Sequence, residues 1–219
     1  MLTPFYVFDA YGTLFDVHAA AGRHREAIGP AYERLSQTWR TKHLEYSWIH
    51  AQTGRPIAFW TLTERSLDYA IASVGGVPAG VRDKLLSAYR RMDAFAEVPS
   101  VLAALKARGA RLAILSNGDP DMLDDAVGAA KFGGVFDAVL SVASVGIFKP
   151  AAKVYQLVHD RLGGRPADVT FVSSNRWDVA GAHVFGFGTV WVNRADLPDE
   201  YPDMPAGRIA RDLKVLSEG

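Results

Sequence analysis

The chain has 219 residues, a length that suits one sizeable domain or a core carrying a smaller insertion. Lys plus Arg and Asp plus Glu both number 24, giving a net charge of +0, so no basic excess marks a nucleic-acid or anionic-membrane partner. Zero cysteines exclude disulfides, thiolate zinc sites and thiol nucleophiles, and no apolar run nears the ~20 residues of a bilayer span.

The first apolar run, Phe5 to Asp9, reads as a buried strand that delivers a carboxylate to its end, with the turn Ala10-Tyr11-Gly12-Thr13 directly after it. No basic stretch and apolar core precede it, so it is not a secretion signal, and a cytoplasmic protein is expected. From about Asp16 to about Met92 strand patterning stops. Helical periodicity replaces it, as in Trp60, Leu67, Ile71 and Val74, together with the large side chains Trp39, Arg40, Lys42, Tyr46, Trp48 and Phe59. This insertion follows the first strand at the edge where open α/β sheets bind ligands. It therefore reads as a helical cap over residues 16–92, with residues 1–15 and 93–219 forming the α/β core.

Beyond the insertion, strands are predicted at Arg111–Asn117, Phe136–Ser141, Val169–Ser174 and Thr189–Asn193. Helices alternate with them. Pro99–Arg108 has Pro in its first turn and Gly109 after its end. Asp119–Ala130 opens on Asp-Pro, and Pro150–Leu162 stops at Gly163-Gly164. The alternation implies a Rossmann-like parallel sheet with right-handed crossovers.

Polar residues end four of these segments: Asp9, Ser116-Asn117, Lys149, and Ser173-Ser174-Asn175 with Asp178. Each has an ordinary alternative. Asp9 suits a helix N-cap, Ser116-Asn117-Gly118 suits a turn, and Lys149 suits a solvated helix start. Their joint order is the informative part. It resembles the haloacid dehalogenase superfamily, and most of all its L-2-haloacid dehalogenases, through Asp9-Ala10-Tyr11-Gly12-Thr13-Leu14-Phe15-Asp16-Val17, Trp39-Arg40-Thr41-Lys42-His43-Leu44-Glu45-Tyr46 and Phe171-Val172-Ser173-Ser174-Asn175.

Several expectations follow from that resemblance. Asp9 is the nucleophile toward the Cα of a small 2-haloacid, and Lys149 is its charge partner. Ser116, with backbone N–H groups near Ala10, Tyr11 and Asn117, would hold the substrate carboxylate. Arg40 and Asn117 would receive the halide. Tyr11, Leu44, Phe59 and Trp177 would wall the alkyl carbon. Asp178, with Lys149, Ser173 and Asn175, would position or deprotonate water, and Thr13 and Tyr155 would support the network. The resemblance also implies a homodimer formed through the cap; an exposed apolar stripe around Trp48 and Trp60 would support it, and the alternative is that both are internal.

Tyr11 stands where phosphatases of the superfamily carry an acid for the leaving alkoxide, which a halide does not need. Ser174 stands where they carry a metal-binding acid, so neither a metal nor another cofactor is expected. The alternatives are a phosphatase, a phosphonatase using Lys42 for a Schiff base, and a non-catalytic module binding a small carboxylate. For the last, a carboxylate at Asp9 would repel the ligand.

Overall fold

A computed structural model describes residues 4–217. The core is a six-stranded, all-parallel sheet of order β3-β2-β1-β4-β5-β6. Its strands are β1 (Phe5–Phe8), β2 (Arg111–Ser116), β3 (Ala138–Ser141), β4 (Val169–Ser173), β5 (Gly188–Val192) and β6 (Arg208–Ala210). The central strands are buried on both faces, with Val7, Phe8, Leu112 to Leu115, Phe171 and Val172 all sealed from solvent. That is the setting in which short Val, Leu, Ile and Phe runs become parallel strands.

Five helices fill the chain between β1 and the core helices: α1 (Ala19–Gly22), α2 (Arg25–Ile28), α3 (Tyr32–Gln52), α4 (Phe59–Ser73) and α5 (Val81–Arg90). They form the helical cap. The core then adds α6 (Val98–Ala107), α7 (Pro120–Ala129), α8 (Ala152–Leu162) and α9 (Arg176–Phe185). The long helices α3 and α4 pack together, and Trp39 Nε1 donates to the Thr63 carbonyl at 3.0 Å across their interface. The chain leaves and re-enters the core at adjacent points, where Asp16 N donates to Asp93 O at 2.9 Å and Phe95 N to Leu14 O at 3.0 Å.

The predicted elements recur with ends shifted by one or two residues. Asp9, Asn117, Ser174 and Asn193 each lie just beyond their strands, and α8 starts at Ala152. The short strand β6 went unpredicted. The apolar periodicity of α4 is also set differently. Leu67 is in the core with Phe59 and Leu62, whereas Trp60 and Ile71 are half-buried and Val74 lies past the helix end.

Candidate active site

Because β1 sits between β2 and β4, the strand order reverses beside it, and the crevice beyond the carboxyl ends of these strands is where open α/β sheets collect functional groups. Asp9 follows β1, and its backbone N–H donates to Val172 O at 2.9 Å, so the nucleophile candidate is fixed to the adjacent strand end. Ser116 ends β2, and Ser173 ends β4. Lys149 arrives from the loop after β3, and Asp178 lies in the first turn of α9. All of these residues are buried: Asp9 is 5% exposed and Lys149, Ser173 and Asp178 are 0%.

The two oxygens of Asp9 are held unequally. Oδ2 accepts from Thr13 Oγ1 at 2.9 Å, Asn175 Nδ2 at 2.7 Å and Ser173 Oγ at 3.4 Å. Oδ1 accepts from Lys149 Nζ at 3.1 Å. The same ammonium donates to Asp178 Oδ2 at 2.7 Å, so it bridges two buried carboxylates. Tyr155 completes the set, its hydroxyl donating to Asp178 Oδ1 at 2.8 Å. Burial opposes the charge of Lys149, but Asp178 and then Asp9 outweigh it and hold the amine above its ordinary value. Burial pushes Asp178 up; Lys149 pulls it back and Asp9 adds to the rise, leaving it at about 6.

Asn175 joins this cluster to the cap. Its Nδ2 donates to Asp9, while its Oδ1 accepts from Arg40 Nη2 at 2.9 Å, an orientation dictated by the anion on one side and the cation on the other. Arg40 also donates to Tyr11 O at 3.2 Å. Asn117 Oδ1 accepts from Lys149 N at 3.0 Å, which leaves its amide nitrogen on the other side. The Ser116 hydroxyl accepts from Gly118 N at 3.1 Å, so the turn chemistry foreseen for this segment is present at a buried position.

The apolar candidates divide into two groups. Tyr11 and Phe59 are buried with ring centroids 6.0 Å apart, and Phe59 also lies 5.8 Å from Phe148 and 4.1 Å from His43. Leu44 and Trp177 are half-buried and stand outside the main hydrophobic cluster; Trp177 meets Trp48 edge-on at 5.6 Å. Two ordinary alternatives are overturned by the geometry: Lys149 is sealed from solvent, and Asp9 is spent on side-chain partners instead of a helix cap. Tyr155 is an internal donor to Asp178. Trp48 and Trp60, whose exposure would support a dimer through the cap, are both half-buried, and the large exposed apolar side chains of the cap are Ile49 at 58% and Tyr69 at 46%.

Sequence reasoning missed several supporting residues. Arg194 pairs with Glu97 at 2.6 Å and donates to Thr13 O at 3.0 Å, steadying the turn that follows Asp9. Arg176 pairs with Asp199 at 2.6 Å and donates to Tyr201 O and Met204 O. Within the cap, Thr63 Oγ1 donates to Phe59 O at 3.0 Å, so His43 Nε2 donates to Thr63 at 3.1 Å and His43 Nδ1 accepts from Tyr89 at 3.4 Å. No local pattern signals these contacts, since all but the Thr63–Phe59 bond join segments far apart in the chain.

A superfamily metal does not fit this donor set. Lys149 already spans Asp9 and Asp178, and Ser174 supplies a hydroxyl where a third carboxylate would be needed. Lys42 is equally unsuited to Schiff-base chemistry. It donates to Glu45 at 2.7 Å and lies over the Tyr69 ring at 4.9 Å, and the Glu45 contact raises its pKa when a nucleophilic amine needs the opposite.

Comparison with known proteins agrees with this geometry. Residues 5–186 match the model of the haloacid dehalogenase-like hydrolases. The chain is 46% identical to (S)-2-haloacid dehalogenase 1 of Pseudomonas sp. (strain CBS-3), across 97% of this chain and 92% of that protein. It is 44% identical to (S)-2-haloacid dehalogenase 4A of Burkholderia cepacia, across 96% and 91%. A crystal structure of a dehalogenase with an intermediate complex superposes with a TM-score of 0.95 at 40% identity, covering 99% of this chain and 97% of that one. A buried Asp–Lys–Asp cluster under a helical cap and this degree of likeness lead to one conclusion: the chain belongs to the haloacid dehalogenase-like hydrolases, within their (S)-2-haloacid dehalogenases.

Proposed function

We propose that this chain hydrolyses the carbon–halogen bond of short L-2-haloalkanoic acids, giving (R)-2-hydroxy acids and halide through an ester on Asp9. The unequal hold on Asp9 carries the reading. Three donors steady Oδ2, and Oδ1 keeps one ammonium partner, so Oδ1 is the oxygen with lone pairs left to attack.

Oδ1 forms the new bond to Cα while the carbon–halogen bond breaks and the halide leaves with its electron pair. Arg40 and the Asn117 amide gather that charge, and the Ser116 hydroxyl with nearby backbone N–H groups holds the substrate carboxylate. Tyr11, Phe59, Leu44 and Trp177 enclose the alkyl carbon. Water then adds to the ester carbonyl carbon of Asp9, and Asp178 takes one of its protons. Lys149, Ser173 and Asn175 keep the two carboxyl groups placed, while Thr13 and Tyr155 hold one oxygen of each. The hydroxy acid departs as its alkoxide, which recovers the proton from Asp178. The proton left on Asp9 is released to solvent. No step needs an acid for the leaving halide, in keeping with Tyr11, whose phenol burial holds well above its ordinary pKa.

The reading includes a division into a core of residues 1–15 and 93–219 and a cap of residues 16–92, supported by the paired crossings at Asp16 and Asp93. It also includes a homodimer formed through the cap and a cytoplasmic setting; no helix among the described residues is long and apolar enough to cross a membrane. The test is chloride release from L- and D-2-chloropropionate, followed by one turnover in ¹⁸O water. Release from the L form alone, with the isotope retained on Asp9, is expected. Label in the first-turnover hydroxy acid would exclude the ester.

A further inference from the structure

The first turn of α4 is capped from outside its own helix. Its N-cap residue, Ala58, has no side-chain acceptor to offer, so the leading amides need another one. Asp119, which directly follows the Ser116-Asn117-Gly118 segment of the core, supplies it. Phe59 N donates to Asp119 Oδ1 at 3.1 Å and Trp60 N to Asp119 Oδ2 at 2.8 Å. Two amides on two oxygens of one carboxylate fix both the height and the rotation of that turn, and the charge suits a helix N-terminus. Asp119 makes no cap contact within α7, the helix it precedes.

Phe59 is the residue this contact places. Its ring stands between the cap interior, through His43, and the core, through Tyr11 and Phe148. Tyr11 is located by the same segment, because a methyl group at Gly118 would lie 2.7 Å from its ring. Both sides of the apolar wall are therefore referred to residues 118 and 119. Nearby, Arg90 joins α5 to Asp121 at 2.9 Å and Asp125 at 3.0 Å while lying over Trp60 at 4.1 Å, which keeps the neighbouring part of the cap against α7.

We propose that Asp119 is a positioning residue that sets which 2-substituents the site accepts, by holding Phe59 at a fixed distance from Tyr11. This rests on the reading of those two rings as the wall around the substrate's alkyl group. Chloroacetate presents no alkyl substituent to such a wall, 2-chloropropionate presents a methyl group and 2-chlorobutyrate an ethyl group.

The experiment measures kcat and KM for these three acids with the parent, Asp119→Ala, Asp119→Asn, Phe59→Ala and the Asp119→Ala/Phe59→Ala double variant. Asp119→Ala is expected to lower kcat/KM for 2-chlorobutyrate relative to chloroacetate by about tenfold, the scale on which a small apolar group is discriminated. Asp119→Asn, which keeps one of the two acceptor oxygens and loses the charge, should fall between Asp119→Ala and the parent. The double variant should discriminate no worse than Phe59→Ala alone. Asp119→Glu keeps the charge but lengthens the strut, and serves as the lesion if Asp119→Ala does not fold. An equal loss on all three acids, or independent effects of the two sites, would overturn the proposal. A parent that releases no chloride from any of them would overturn the functional reading, and this inference with it.

Discussion

In the proposed mechanism, three neighbours of Asp178 (Lys149, Asp9 and Tyr155) determine how the hydrolytic half of the reaction responds to pH. Burial holds its carboxyl near 6, and the Tyr155 hydrogen bond works downward by favouring the charged form. Tyr155→Phe removes that bond, so the pKa rises and the base is lost at higher pH than in the parent. The acid limb of hydroxy-acid formation should therefore shift upward in Tyr155→Phe, read from stopped-flow or quench measurements of ester decay against pH. An unchanged limb would remove Asp178 from the role of base. Gly181 gives a second handle on the same contact, since a methyl group there would sit 2.5 Å from the Tyr155 hydroxyl and 2.6 Å from Pro150. Helix propensity alone favours Gly181→Ala by roughly 1 kcal/mol. The overlap exceeds that gain, so lower thermal stability and slowed ester hydrolysis are expected together.

Among the elements, α3 carries a histidine whose cost can be measured. His43 is sealed in the cap, and burial, followed by the nearby Arg40 charge, lowers its pKa to about 3. The unfolded chain protonates near 6.5 and the folded one does not, so stability falls as pH drops from 6.5 toward 3. At pH 5 the penalty depends on the unfolded value alone and comes to ~2 kcal/mol. His43→Gln, which offers the same donor and acceptor without titrating, should unfold at lower pH than the parent; coincident acid transitions by circular dichroism would refute this. Strands and core helices were legible in the sequence because each buries a continuous apolar run, as at Arg111–Ser116 and Val169–Ser173. The cluster of Asp9, Lys149 and Asp178 was legible because these groups end successive segments of one sheet. Asp119, Arg194 and Tyr89 were not, because their partners lie 60, 181 and 46 positions away and no periodicity spans such gaps. Three-residue β6 carries too little pattern to stand out.

For the molecule as a whole, a net charge of +0 provides no long-range field to draw in an anionic substrate. In the proposed mechanism selectivity for anions falls instead to the cap–core seam, where Arg40 reaches from α3 to Asn175. Asp9 is almost closed to solvent in this arrangement, so on the proposed mechanism substrate entry requires the cap to lift. The proposed cap-mediated dimer bears on how freely it does so. Sedimentation should give twice the 23.8 kDa of one chain, and Ile49→Lys, at the exposed cap surface, should shift the equilibrium toward single chains; a monomer in both cases would end that proposal. Beneath the cap, one ammonium serves two anions, and that sharing works as a clock. In the proposed mechanism, alkylation removes the negative charge of Asp9, the repulsion that helps keep Asp178 high goes with it, and Lys149 attends to a single neighbour. On that reading the first chemical event favours the ionised form of Asp178, the form the second needs.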